Sequence, residues 1–393
     1  MDYVDGLRAV AILLVLMLHA GTTHLHPARG LPFDVVDVGT HGVDLFFVIS
    51  GFVLSYPTLA KLHSAGAATF DVAGFFARRV VRIVPPYWAA LGVMAIAATL
   101  LTHAHIPLPS GVNPPRSVID IVRQMFFIQQ AGSGIHRAAW VVDLFWSLQV
   151  ELAWYLSFPL VLWLWVRARV WFWITAALPN FVALFIAPGP GNLLHSAVLP
   201  LTLMWLPFML GVVAADAHIR RLPLQRWAWA FFFVFAIAAF FFAPRLPAGS
   251  GPVGWWGHDL VLWHLAAFCF VVWAGHAALL QHALSWRPLK ITGLASYSIY
   301  LMHAPLVHSN ALERFGITGW PAFFTSMAIG MAAGFGFWAL VERHFVDTKL
   351  RDHLVAGLQP VISVIMGSIR APRKNLFGSA ISEAVPQSED ARA

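Results

Sequence analysis

Arg8 and His19 stand eleven residues apart in a stretch, Leu7 to Gly21, that is otherwise apolar and is introduced by Asp5-Gly6. An ionisable group inside a bilayer costs at least about 2.5–3.5 kcal/mol on insertion scales, so such groups are kept for a reason. On a helix, eleven residues rise roughly 16 Å over three turns, which sets the two side chains at different depths on nearly the same face. A polar seam of this kind suits proton transfer, for which an imidazole is the natural group near neutral pH. The structural alternative is a histidine at the outer interface and an arginine snorkelling toward the cytoplasm.

Four further blocks interrupt the apolar background. Gly42-Val43-Asp44-Leu45-Phe46-Phe47-Val48-Ile49-Ser50-Gly51-Phe52 places an acid near the start of a hydrophobic run, where it can pair with His19 or cap a helix. Arg79 and Arg82, in Arg78-Arg79-Val80-Val81-Arg82, are three apart and project from one helical face. Two guanidinium forks side by side suit a phosphate or pyrophosphate, and the alternative is an ordinary cytoplasmic basic cluster. Trp146-Ser147-Leu148-Gln149-Val150-Glu151 sets a carboxyl well inside an apolar run, where it needs a cationic partner or a raised pKa. Ser296, Tyr300 and His303 fall at i, i+4 and i+7 in a run that also holds Tyr297, a polar stripe fit for a substrate passage or for an interhelical hydrogen-bond network.

The elements that must position these groups are membrane helices. Of 393 residues, 59% are hydrophobic and 11% charged, too little charge to cover a soluble surface of this size. Runs of about 20 apolar residues recur along the chain. Ten spans are expected, near 7–21, 38–60, 84–102, 140–166, 170–187, 193–215, 228–243, 257–280, 292–310 and 321–346, forming an all-α bundle in one domain, 1–346. Residues 347–393 are expected to be a tail. Its apolar patch Leu354–Ile369 reads as an interfacial helix, and 379–393 as disordered. Ile119–Ile128 is too short to span.

With the N-terminus inside, nineteen of the 25 Lys and Arg residues fall on the cytoplasmic side and six outside, which predicts an even number of spans and both termini cytoplasmic. The same asymmetry accounts for the net charge of +7 without a nucleic-acid partner. The single cysteine, Cys269, excludes an intramolecular disulfide, a zinc ribbon and a CxxC redox site.

The five blocks, in this order from Asp5 to Phe345, resemble the membrane acyltransferase family 3, integral-membrane O-acyltransferases that modify glycans and other envelope or secreted molecules. The resemblance implies an inner-membrane enzyme that uses acyl-CoA, usually acetyl-CoA, from the cytoplasm as co-substrate, with no metal. It implies that Arg79 and Arg82 hold the phosphates of CoA, together with Ser296 and Tyr300 at the donor site. Arg8 and His19 are the essential pair of the first helix, with His19 acting as general base on an acceptor hydroxyl or carrying the acyl group itself. Glu151 handles protons, and Asp44, Trp146, Tyr297 and His303 line the passage to the acceptor.

Two departures stand out. Glu342-Arg343 is followed by His344, where the family often has proline, and only four residues precede Asp5. No esterase-like segment follows the last span, so transfer is expected to finish within the membrane unit or on a separate protein. A small hydrophobic acceptor such as a macrolide is the alternative within the class. A proton-coupled secondary transporter using His19, Glu151 and His303 is the alternative outside it, disfavoured by the lack of an internal repeat.

Overall fold

The computed structural model describes residues 1–25, 35–66, 70–109, 112, 118–128, 145–185, 204–242, 258–346 and 348–368. Among these the regular structure is entirely helical. The helices are α1 (Asp2–His24), α2 (Gly42–Ala65), α3 (Val72–His103), α4 (Val118–Met125), α5 (Trp146–Arg167), α6 (Arg169–Phe185) and α7 (Trp205–Arg220). They continue as α8 (Leu224–Ile237), α9 (His258–His276), α10 (Ala278–Leu284), α11 (Arg287–Leu294), α12 (Ser296–Val307), α13 (Gly319–Leu340) and α14 (Lys349–Ser368). Short 3-10 turns, Val38–His41 and Glu342–Phe345, precede α2 and follow α13.

Five segments are long and apolar enough to cross a bilayer: Asp2–His24, Val35–Ala65, Val72–His103, Trp146–Arg167 and Gly319–Leu340. The expected eighth span is not straight, because α9 and α10 meet at Ala277 with a bend of 100°. The expected ninth is two helices joined at Ala295, with α12 carrying the Ser-Tyr-His stripe. The start of the sixth, 193–203, and the segment 369–393 lie outside the described residues. α3 begins twelve residues before the expected third span, so Arg79 and Arg82 sit on the membrane helix itself. Pro85 and Pro86 lie inside that helix without ending it, as neighbouring helices allow. α4 docks on α3: the Tyr87 hydroxyl donates to the Gln124 carbonyl at 2.8 Å, and Trp88 Nε1 to that of Met125 at 3.1 Å. In the tail, α14 lies along α3, with Gln359 Nε2 3.3 Å from Asp71 Oδ2.

Ile96, Leu100, Leu156, Leu160, Trp227 and Phe324 are exposed, on four different helices. So broad an apolar exterior belongs against lipid, and the chain is a multi-pass membrane protein. Inside, packing rather than water exclusion holds the helices together. Trp154 stacks on Phe208 (ring centroids 4.4 Å apart) and Phe208 on Phe47 (4.5 Å), tying α5, α7 and α2 together. Aromatic pairs contribute about 0.5–1.5 kcal/mol beyond their area.

α2 and α7 approach at Gly51 and Gly211, where a Cβ on either would lie 2.1 Å from the Phe208 carbonyl oxygen or 2.2 Å from that of Val48. Backbone on both sides cannot yield as a side chain would. Gly51→Ala and Gly211→Ala should therefore each lower stability by at least about 1–3 kcal/mol, read as a fall in thermal midpoint in detergent. Gly92→Ala, which faces open space on α3, should match or exceed the parent because alanine favours helix by up to about 1 kcal/mol. An equal drop for all three would contradict this packing.

Candidate functional site

Two adjoining cavities run through the centre of the bundle. The first, about 100 Å³, is lined by Arg8 of α1, Arg79 and Arg82 of α3, Ser147, Glu151 and Tyr155 of α5, and Ser296, Tyr297 and Tyr300 of α12, with apolar residues of α2 between them. The second, about 130 Å³, is lined by His19 of α1, Thr40, Asp44 of α2, Trp146 of α5, Tyr300 of α12 and a set of apolar residues. Val43 and Tyr300 belong to both linings. At their border the Tyr300 hydroxyl is 2.6 Å from Ser147 Oγ.

In the first cavity Arg8 is paired with Asp5 at 2.9 Å. Arg79 and Arg82 make no hydrogen bond or ion pair with another side chain among the described residues. Arg79 lies between the Phe75 and Tyr155 rings, 5.8 and 5.7 Å from their centroids, and its Nε is buried without a partner. Guanidinium donors unused in a cavity are a site for an anion with several acceptor oxygens. Glu151 accepts a hydrogen bond from the Tyr155 hydroxyl one turn later, which orients the one carboxylate in this lining.

The second cavity is built around His19. Its Nδ1 lies 2.9 Å from His303 Nε2, with the rings nearly parallel. His303 Nδ1 lies 2.7 Å from the Tyr300 carbonyl and 3.2 Å from that of Ile299. Carbonyl oxygens only accept, so in the neutral pair His303 carries its proton on Nδ1 and accepts at Nε2. His19 must then carry its own proton on Nδ1, which leaves the lone pair on Nε2 for whatever enters the cavity. This is the orientation logic of a general base held by a second group.

Every residue singled out in the sequence therefore falls into one arrangement. Arg8, Arg79, Arg82, Glu151, Ser296, Tyr297 and Tyr300 line the first cavity, and His19, Asp44 and Trp146 the second. His303 lines neither and stands behind His19. Tyr297 donates to the Ile83 carbonyl at 3.0 Å, joining α12 to α3. The expected pairing of Asp44 with His19 is replaced by another: Asp44 Oδ2 is 2.7 Å from His41 Nδ1, and Oδ1 is 3.4 Å from His264 Nε2. His264 had no recognisable motif around it; only the fold brings α9 against α2. Among the described residues no group of three or more His, Cys, Asp or Glu is arranged to hold a metal ion.

Glu342, whose role the missing proline left open, is fully buried. Its Oε2 accepts from Ser298 N at 3.1 Å and Ser298 Oγ at 2.5 Å. That caps the first turn of α12 with a carboxylate, where the helix dipole favours negative charge. Glu342→Ala should cost about 1–3 kcal/mol through the unpaired groups it leaves, whereas Glu342→Gln keeps an acceptor and should lose less. Thermal unfolding of the two variants in detergent checks the order, and equal losses would speak against the cap.

Membrane helices thus enclose two adjoining polar cavities, one lined by three arginines and the other by a histidine held by a second histidine, which defines a multi-pass membrane protein with a buried polar centre. The chain belongs to the acyltransferase family described as "Acyltransferase domain", which matches residues 1–342. It is 24% identical over 334 residues to the "Putative peptidoglycan O-acetyltransferase YrhL" of Bacillus subtilis, an alignment covering 77% of this chain and 48% of that protein. It is 29% identical over 128 residues to the "Putative O-acetyltransferase SAS0844" of Staphylococcus aureus, covering 33% of this chain and 18% of the relative. A Rhizobium radiobacter protein, "Protein 2 in picA locus", is 30% identical over 151 residues, covering 37% of this chain and 73% of its own length. The chain thus spans about half or less of the length of the Bacillus and Staphylococcus relatives. No solved structure matches it.

Proposed function

We propose that the protein is a membrane O-acetyltransferase that moves an acetyl group from acetyl-CoA to a hydroxyl of an envelope or secreted glycan. The observation that carries this reading is the pair of guanidiniums, Arg79 and Arg82, that make no hydrogen bond or ion pair among the described residues and line a cavity adjoining the one that holds His19. Arg8 and His19 are separated by roughly 16 Å along α1, a distance the extended pantetheine arm of CoA can cover. Phosphates at the arginines then place the thioester near the base, past the Ser147–Tyr300 contact. The names of the Bacillus and Staphylococcus relatives support O-acetylation, and the former supports a cell-wall glycan as acceptor.

In this mechanism His19 Nε2 takes the proton of the acceptor hydroxyl as its oxygen attacks the thioester carbonyl. The new C–O bond forms, the C–S bond breaks, and the departing thiolate takes the proton back from His19. His303 accepts the Nδ1 hydrogen bond throughout and keeps the ring oriented. Glu151, with Ser296 and Tyr297, lines the donor side, and Arg8 adds a third guanidinium there.

For the topology we propose ten spans in the inner membrane. α11 with α12 forms the ninth, both ends are cytoplasmic, residues 1–346 form one domain and 347–393 a cytoplasmic tail. The basic-residue asymmetry supports the orientation, and five of the ten proposed spans coincide with long apolar helices among the described residues. The test is incubation of purified protein in detergent with radiolabelled acetyl-CoA. Label is expected as free acetate or on an added glycan acceptor, and both signals are expected to be lost in His19→Ala and in Arg82→Ala. Substrate counterflow in liposomes without any dependence on CoA would instead establish a transporter.

A further inference from the structure

We infer that Asp44 is the acceptor-recognition residue. It takes a hydrogen bond from the hydroxyl beside the one being acylated, so the preferred acceptor is a vicinal diol on a sugar-sized ring. This rests on the acyltransfer reading above and goes beyond it in naming the acceptor class and the residue that selects it.

Asp44 lines the same cavity as His19, yet its side chain is only 2% exposed. It stands in the first turn of α2, where the helix N-terminus favours a carboxylate. One histidine bonds it and a second stands beside its other oxygen. His41 Nδ1 meets Oδ2 at 2.7 Å and is itself stacked on Trp263, ring centroids 4.6 Å apart. The fully buried His264 places Nε2 3.4 Å from Oδ1. Each carboxylate oxygen has two acceptor sites, so the two histidines do not exhaust them.

A buried carboxylate bonded by His41 on one oxygen, with His264 packed beside the other, is restricted in direction as well as position. It can only accept a hydrogen bond, so it selects a hydroxyl over an ether or a methyl at that place. His19 Nε2, in the same lining, accepts the proton of the reacting hydroxyl. Two acceptor-bearing side chains in the lining of one small cavity suit a ligand with two hydroxyls close together. The rest of the lining fits a ring: Thr40 offers a hydroxyl, Trp146 an aromatic surface, and Val15, Leu18, Met204 and Leu260 an apolar wall.

The experiment compares a methyl hexopyranoside with its monodeoxy analogues as acceptors of radiolabelled acetyl-CoA, using the full chain in detergent. With the parent protein, removing the hydroxyl next to the acylated position should raise acceptor KM at least about tenfold, and removing a distant one should not. Asp44→Leu, which removes the acceptor at similar size, should raise acceptor KM to a similar extent, and should use the parent sugar and the adjacent deoxy analogue equally poorly, whereas Asp44→Asn keeps an acceptor oxygen and should lose less. His264→Gln should show a smaller effect of the same kind. Equal use of all analogues by the parent protein overturns the inference, as does discrimination that survives in Asp44→Leu. The analogue series needs no variant, so a failure of Asp44→Leu to fold does not shield the inference. Absence of any acetyl-CoA turnover by the parent protein would instead remove the acyltransfer reading on which the inference rests.

Discussion

Replacing His19 by alanine is expected to lower acetyl transfer by about 10²–10⁴-fold, the range that a positioned general base supplies. The loss should fall on kcat, because the arginines that hold the donor line the other cavity. His303 provides the sharper test, since it touches His19 and lines neither cavity. His303→Leu removes the acceptor of the His19 Nδ1 hydrogen bond, so the imidazole is free to carry its proton on Nε2, where it cannot act as a base. Transfer should fall at least about tenfold in kcat with KM for acetyl-CoA little changed. His303→Gln offers a carbonyl oxygen to the same Nδ1 and should recover part of the loss. Steady-state kinetics of the three variants decide it; equal defects in the leucine and glutamine variants would reduce His303 to a packing residue.

The second large effect lies at the other end of the seam. Arg79→Ala and Arg82→Ala should each weaken CoA binding by about 10- to 150-fold, the equivalent of about 1.5–3 kcal/mol for hydrogen bonds to a charged group. Arginine-to-lysine changes keep the charge but lose the planar fork, so they should recover only part of the affinity. Neither guanidinium makes a hydrogen bond or ion pair with another side chain among the described residues, and each variant leaves the other arginine and Arg8 in the lining with Glu151, so binding should suffer more than thermal stability. Titration calorimetry with CoA in detergent measures the effect. Unchanged affinity in both alanine variants would remove these residues from the donor site.

Much of this site was legible in the sequence because polar residues in apolar helices are conspicuous and costly. Arg8, His19, Arg79, Arg82, Glu151 and the Ser296–Tyr300–His303 stripe each interrupt a hydrophobic run, and helical spacing alone assigned their faces. What spacing could not give was the partner. Asp44 was a candidate partner for His19, but its histidines are His41, three residues away on the preceding 3-10 turn, and His264, 220 residues further on α9. His303 read as a lining residue, yet the turn of α12 directs it behind His19 instead.

The elements were partly legible for the same reason. Hydropathy found the apolar runs but not the 100° bend at Ala277 or the break at Ala295. Both depend on how neighbouring helices meet, as where α1 and α11 pack so closely that a Cβ on Gly293 would lie 1.7 Å from the Asp5 carbonyl oxygen. Nor could it foresee that a helix would run from Val72 through two prolines to His103 and carry both Arg79 and Arg82. Glu342 is the clearest case of a role that only packing reveals, because its partner Ser298 lies on another helix.

We propose that a donor held at the arginines reaches a base in the adjoining cavity, with donor and acceptor entering from opposite faces of the membrane. The direct measurement uses sealed vesicles containing the protein in one orientation, with radiolabelled acetyl-CoA confined to the face that bears the N-terminus and a membrane-impermeant sugar acceptor on the other. Labelled acetyl-sugar on the acceptor face, with free CoA retained on the donor face and no signal from His19→Ala, is the predicted result. Product that forms only when donor and acceptor share one face would contradict the account.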